Sequence, residues 1–119
     1  TINVVRKDVG GEENKYNFAF DRIFGPDTHQ VEIYKEVGGP IIKSVIGGFN
    51  GTIFAYGQTG GGKTWTMEVF VVVTKGPNHH DPEFKGMIPR TIEGLFEAIS
   101  ESDSNIEFVI KCSYIEIYN

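Results

Sequence analysis

Apolar and polar residues alternate in two short stretches near the start of the chain. The apolar positions are Ile2, Val4, Tyr16, Phe18 and Phe20. Alternation with a period of two is typical of a β-strand that has one covered face. The segment between the two stretches, Asp8 to Asn14, is rich in residues that favour turns. The pattern therefore predicts a small N-terminal β-hairpin.

After residue 26 the apolar residues recur every three or four positions, which is typical of an amphipathic helix. These positions are Val31, Tyr34, Ile41, Ile42, Val45, Ile46 and Phe49. Asp27, followed three residues later by Gln30, is a pair typical of a helix N-terminus. We expect Gly38-Gly39-Pro40 to break or kink the helix, with Pro40 as the first residue of a second segment that runs toward Gly47-Gly48.

Three later segments also have hydrophobic patterns that predict a strand or a helix. Thr52 to Tyr56 is apolar at nearly every position, which predicts a central parallel strand covered on both faces. Ile88 to Ser100 has helical spacing with Pro89 near its start, which predicts an amphipathic helix. We expect Ser102 to Asn105 to form a turn, and Glu107 to Tyr118 to form a long strand flanked on both sides.

Residues 57–64 read Gly-Gln-Thr-Gly-Gly-Gly-Lys-Thr and follow directly on the predicted central strand. They fit the pattern Gly-x-x-x-x-Gly-Lys-[Ser/Thr], in which backbone N–H groups converge on a polyphosphate. The chain can wrap that closely only where Cβ atoms are missing. We expect Lys63 to lie between the β- and γ-phosphates, and Thr64 to ligate Mg²⁺ at the start of a helix from Lys63 to Glu68. A flexible glycine-rich turn with an exposed lysine is the weaker interpretation.

This octet predicts a site for a nucleoside triphosphate with magnesium. The predicted binding residues in it are Gly57, Gln58, Thr59, Gly60, Gly61, Gly62, Lys63 and Thr64. Removing Lys63 should abolish tight binding.

The predicted order β–α–β–α–β indicates an α/β fold, with part of a P-loop NTPase sheet, flanking helices and the small hairpin. A last strand that ends at Asn119 with no helix to cover it would leave an apolar face and an open sheet edge. We therefore expect the chain to be truncated.

Composition and charge exclude several classes of protein. The chain has 119 residues and a net charge of −5, so it lacks the basic face that a nucleic-acid binder needs. No apolar stretch is long enough to cross a bilayer. Cys112 is the only cysteine, and the start of the chain does not read as a signal peptide, so we expect a cytosolic protein.

With the flanks of the octet included, the chain resembles the N-terminal part of a kinesin motor domain. The segments that carry this resemblance, in order, are Phe20 to Pro26, Asn50 to Thr52, Gly51 to Glu68, Gly86 to Arg90 and Ser113 to Asn119. The resemblance implies ATP hydrolysis coupled to movement along microtubules in the cytoplasm. It also implies that Lys63 and Thr64 are catalytic, with Thr64 as the metal ligand.

Trp65 matches the family position beside the adenine base. An indole could stack on the base there and contribute on the order of 1–3 kcal/mol. A core aromatic on the first helical turn is the equally weighted alternative.

The chain departs from the family pattern in two ways. Val69 stands where the family usually has glycine, and the apolar run Phe70 to Val73 follows it, in a predicted insertion from Val69 to Lys85. The family's two switch motifs, its first strand and its microtubule-binding helices are absent from these residues. The switches position water and sense the γ-phosphate, so we expect residues 1–119 alone to hydrolyse ATP poorly. Microtubule contact and oligomeric state should depend on regions outside this chain.

Two other functions remain open. One is a nucleotide- or partner-binding module that kept the phosphate loop and lost the switches. The other, weaker, is a small-molecule kinase, which would need an acceptor lid with arginines. We expect His79-His80-Asp81 to be a solvated surface segment rather than a metal site, and Cys112 to be a buried, inert thiol.

Overall fold

The structure is a computed structural model and describes residues 1–68 and 82–118. Its strands are β1 (Ile2–Lys7) and β2 (Glu13–Phe18); its helices are α1 (Gln30–Ile33), α2 (Gly39–Ile46), α3 (Lys63–Met67) and α4 (Met87–Ser100). A π-helical turn (Tyr34–Gly38) joins α1 to α2, and a 3₁₀ turn (Pro82–Phe84) precedes α4.

The predicted N-terminal hairpin is confirmed. Strands β1 and β2 pair antiparallel, from Ile2 opposite Phe18 to Lys7 opposite Glu13. Asp8 closes the turn, because its Oδ1 accepts hydrogen bonds from the N–H groups of Gly10 and Glu12, both at 2.9 Å. Every residue of the two strands is exposed, so the hairpin is a peripheral element.

The start of α1 differs from the prediction. Its N-cap is His29, no side chain caps it, and Asp27 lies outside the helix. Gln30 does not cap the helix because its side-chain amide is buried and bonds to a carbonyl of α3 instead. The predicted capping pair is therefore wrong.

The helix continues through Gly38-Gly39-Pro40, where a break or kink was expected. The backbone widens there to a π-helical turn, in which the Gly39 N–H donates to the Tyr34 carbonyl oxygen. This turn leaves Pro40 in the first turn of α2, where a missing N–H is tolerated. The second segment thus begins at Gly39, one residue before the predicted Pro40. That segment ends as predicted, with Gly47 as C-cap and Gly48 at φ +92°.

Helix α4 confirms the predicted amphipathic helix and packs across α2 and the π-helical turn. The most buried apolar side chains lie at this crossing: Met87 is 4% exposed and Ile42 is 9% exposed. Glycines allow the close approach. A Cβ at Gly38 would lie 2.7 Å from Met87 Sδ.

The two predicted later strands are absent from the described part of the chain. Residues 52–56 and 107–118 have no strand assignment, and Tyr56 and Ile117 are 95% and 92% exposed. A strand needs a neighbour for its backbone N–H and C=O groups, and the described residues contain one sheet, the hairpin. The predicted order β–α–β–α–β is therefore wrong for them. The expected P-loop sheet stays a prediction.

The predicted burial of the Cys112 thiol is wrong. Burial was predicted from an apolar strand, but the segment around Cys112 has no covering layer and the thiol is exposed. The predicted turn at Ser102 to Asn105 is present, with Asp103 Oδ1 accepting from the Asn105 N–H at 2.9 Å. Within residues 1–68 and 82–118 no helix is long and apolar enough to cross a membrane.

Candidate nucleotide-binding site

The phosphate-loop sequence forms a tight, glycine-dependent turn. The Gly61 N–H donates to the Gln58 carbonyl oxygen at 3.1 Å, and a Cβ at Gly61 would lie 3.0 Å from that same oxygen. Gly60 and Gly62 have φ of +77° and +82°, in the left-handed region that side chains with a Cβ disfavour. The loop path thus depends on glycine at these positions, as the sequence predicted.

The Lys63 side chain folds back onto the start of this loop. Its Nζ donates to the carbonyl oxygens of Gly57 and Gln58, at 2.7 Å in both cases. The side chain is half-buried. A flexible turn with a free, solvated lysine is therefore not what the structure shows. The ammonium group is held between two carbonyl dipoles of the loop by charge-assisted hydrogen bonds.

Helix α3 begins at the end of the loop, as predicted. The Thr66 N–H donates to the Gly62 carbonyl oxygen at 2.9 Å, and the Glu68 N–H donates to the Thr64 carbonyl oxygen at 2.8 Å. Thr64 is exposed beside Lys63, so its hydroxyl is accessible to a metal ion or a ligand. The loop and the first turn of α3 thus bring together all the predicted phosphate and magnesium ligands.

Trp65 lies on the exposed side of α3. Its side chain is 56% exposed, so the core-aromatic interpretation is wrong. The indole meets the ring of Phe84 edge-on, with ring centroids 6.1 Å apart and an interplanar angle of 63°. Its exposed surface leaves room for a planar group, which keeps the adenine-contact prediction open.

Gln30 also belongs to this region, although the sequence pattern predicted that it caps a helix. It is 6% exposed, and its Nε2 donates to the Trp65 carbonyl oxygen at 2.6 Å. A signal for its burial was present in the sequence. Gln30 stands four residues before Tyr34 and seven before Val37, on the apolar face of the helix pattern.

A cavity of about 290 Å³ lies behind the loop. It is lined by the segment 53–56, by apolar residues of the helices such as Val37 and Met67, and by Gly61 to Lys63. Apolar walls cannot satisfy the oxygens of a triphosphate. The apolar part of the cavity therefore suits protein packing and not phosphate binding.

The described residues contain no cluster of three or more histidine, cysteine or acidic side chains that could hold a metal ion. Thr64 suits magnesium in a different way, because Mg²⁺ commonly takes one or two protein ligands together with phosphate oxygens and water. The segment His79-His80-Asp81 and the predicted loop path over 69–81 lie outside the described residues, and both stay predictions.

Comparison with known proteins decides the family. The kinesin motor domain profile matches residues 2–119, nearly the whole chain. The chain belongs to the kinesin motor domain family. The resemblance inferred from the sequence is thereby confirmed.

Individual kinesins are similar in sequence to most of this chain. It is 46% identical over 110 residues to Kinesin-related protein 3 of Dictyostelium discoideum, which covers 92% of the chain and 9% of that protein. It is 48% identical over 101 residues to human Kinesin-1 heavy chain, which covers 85% of the chain and 10% of that protein. The chain thus spans about a tenth of the length of these kinesins.

Proposed function

We propose that this chain is the ATP-binding part of a microtubule motor that couples ATP hydrolysis to movement along microtubules. The observation that carries the proposal is the position of Lys63. Its ammonium group is bound to the glycine loop, 2.7 Å from two loop carbonyl oxygens, in a chain of the kinesin motor domain family.

The loop residues fit a triphosphate with magnesium. Left-handed glycines at 60 and 62 give the loop its turned path, and a Cβ at these positions would strain it. The predicted contacts are backbone N–H groups of Gly57 to Thr64, including Gln58 and Thr59. Bound magnesium would neutralise charge on the phosphates, with Thr64 as its protein ligand.

Lys63 acts by exchanging partners. Neutral carbonyl oxygens hold its ammonium group in the unliganded loop, and charged phosphate oxygens are stronger acceptors. The hydrogen bonds to Gly57 and Gln58 restrict the rotamers of the Lys63 side chain, so less conformational entropy is lost when the phosphates bind.

Trp65 contacts the adenine base of the bound nucleotide in this proposal. It follows Thr64 directly, its indole is more than half exposed, and Phe84 supports one edge. A purine stacked on the indole would contribute on the order of 1–3 kcal/mol.

The remaining steps of the motor cycle belong to residues outside this chain. The 119 residues contain neither of the family's switch motifs, which we expect to position the attacking water and sense the γ-phosphate. We propose residues 1–119 as the N-terminal part of the motor domain, in keeping with their match to about a tenth of the length of each kinesin. Microtubules would bind through other regions, because the net charge of −5 opposes contact with an acidic filament.

We assign the motor to the cytoplasm and the microtubule cytoskeleton, with no nucleic-acid partner and no membrane. Its oligomeric state would be set by the neck and tail. The second candidate is a nucleotide-binding module without hydrolysis, which the phosphate loop would serve equally well.

The two candidates separate in one assay on the complete gene product. Microtubule-stimulated ATPase activity is measured for the wild type and for Lys63→Ala. The motor proposal predicts stimulation in the wild type and its loss in the variant. Nucleotide binding without any microtubule-stimulated turnover would contradict the motor proposal and favour the binding module.

A further inference from the structure

Trp65 is held from two sides by the N-terminal end of α1. On the backbone side, Gln30 Nε2 donates to the Trp65 carbonyl oxygen at 2.6 Å. On the indole side, Phe84 contacts the ring edge-on. The turn that carries Phe84 is tied to α1 as well, because His29 Nδ1 lies 3.0 Å from Glu83 Oε1. His29, the N-cap of α1, and Gln30, its first residue, thus reach the ring support and the backbone of Trp65.

The Gln30 contact satisfies two groups at once. Trp65 lies in the last turn of α3, where backbone carbonyls lack donors from within their own helix. The Gln30 side chain is buried, with 6% of its surface exposed, and a buried amide without a partner is costly. Replacing this donor therefore leaves the Trp65 peptide free to reorient, with little change to the exposed surface of the protein.

We infer that Gln30 is a positioning residue for the nucleotide base. It fixes the Trp65 peptide, and through it the angle at which the indole is presented beside the phosphate loop. This inference rests on the proposed ATP site. Gln30 itself is buried behind α3 and does not touch the ligand, so its effect should appear in the base-dependent part of the affinity and not in the phosphate-dependent part.

The test compares two ligands that share phosphates and differ in the base. Affinities for Mg²⁺·ATP and for Mg²⁺·tripolyphosphate are measured by calorimetry on the wild-type chain and on Gln30→Met. Methionine has nearly the length of glutamine and no N–H donor. We expect about tenfold weaker ATP binding, since base stacking is worth that much or more, and tripolyphosphate affinity within about twofold of the wild type.

Two further variants make the comparison specific. Lys35→Met places the same side chain on an exposed position of the π-helical turn and should leave the ratio of the two affinities unchanged. Phe84→Leu removes the ring support without touching the Gln30 contact, and should weaken ATP binding selectively as well. This second variant tests whether the orientation of the Trp65 indole governs base affinity, even where Gln30→Met folds poorly.

A spectroscopic readout follows the indole directly. Trp65 is the only tryptophan of the chain, so tryptophan emission reports its surroundings alone. We expect Gln30→Met to shift the emission and to reduce its quenching by ATP, with no such change in Lys35→Met.

Three outcomes overturn the inference. Equal losses for both ligands would show that Gln30 only supports the fold, and unchanged ATP affinity with unchanged emission would show that it does not position Trp65. A wild-type chain that binds neither ligand would contradict the proposed ATP site itself, and the role of Gln30 would fall with it.

Discussion

A Cβ atom placed at Gly94 of α4 would lie 2.1 Å from the hydroxyl oxygen of Tyr34 in the π-helical turn. Helix α4 therefore approaches the turn this closely only because residue 94 has no side chain. The same contact places the phenol against the acidic face of α4, and both consequences can be measured.

Gly94→Ala should destabilise the protein although alanine is the better helix former. The helical preference favours alanine by about 1 kcal/mol, but the clash with the Tyr34 hydroxyl should cost about 1–3 kcal/mol. We expect a net loss in the free energy of unfolding, measured by urea denaturation. Gly25→Ala is the control, because nothing lies within 4 Å of a Cβ at that position.

The double variant Tyr34→Phe, Gly94→Ala tests whether the clash with the Tyr34 hydroxyl causes the loss of stability. Without the hydroxyl, the nearest ring atom is Cζ, which would lie 3.4 Å from the new Cβ. The double variant should recover most of the stability that Gly94→Ala loses. If it is as unstable as the single variant, the clash is not with the hydroxyl.

The stability of the fold should fall at high pH because of Tyr34. Partial burial raises the pKa of the Tyr34 phenol, Glu97 and Glu93 raise it further, and Arg90 opposes them. The unfolded chain then loses this proton first, near the ordinary tyrosine pKa of about 10, so stability is fully present below that pH and is lost above it. Urea midpoints from pH 8 to 11 should fall more steeply in the wild type than in Tyr34→Phe. Parallel curves would contradict this account.

Gly62 provides a test of the loop conformation that involves no clash. Nothing lies within 4 Å of a Cβ at this position, and φ is +82°. Gly62→Ala should therefore lose roughly 1–2 kcal/mol of stability from backbone strain, together with affinity for Mg²⁺·ATP. Gly62→Asn should lose less, because asparagine tolerates the left-handed region. Equal effects of the two substitutions on the urea midpoint would show that strain at residue 62 is not the cause.

Local patterns predicted local structure well in this chain. The hairpin, the start of α3 and helix α4 depend on alternation, glycine and proline positions and helical spacing, all of which lie within a few neighbouring residues. The glycine-dependent turn was predicted for the same reason, since the motif contains its own geometry, whereas the place of Lys63 between two phosphates stays a prediction.

Features that depend on distant partners were not predictable in this way. The apolar residues 52–56 and 107–118 predicted burial between layers, yet pairing and covering come from other segments, and the described residues supply none. Gln30 was assigned to capping because its true partner, the Trp65 carbonyl, lies 35 residues away in the chain. Periodicity could indicate that Gln30 is buried, but not what it bonds.

The central claim is that the Gly57 to Thr64 loop binds the phosphates of Mg²⁺·ATP through Lys63. A titration of Mg²⁺·ATP into the wild type, Lys63→Ala and the control Lys43→Ala, an exposed lysine of α2, tests it most directly. We predict at least about tenfold weaker binding for Lys63→Ala, because hydrogen bonds to charged groups contribute roughly 1.5–3 kcal/mol, and wild-type affinity for Lys43→Ala. Equal affinities of the wild type and Lys63→Ala would contradict the claim.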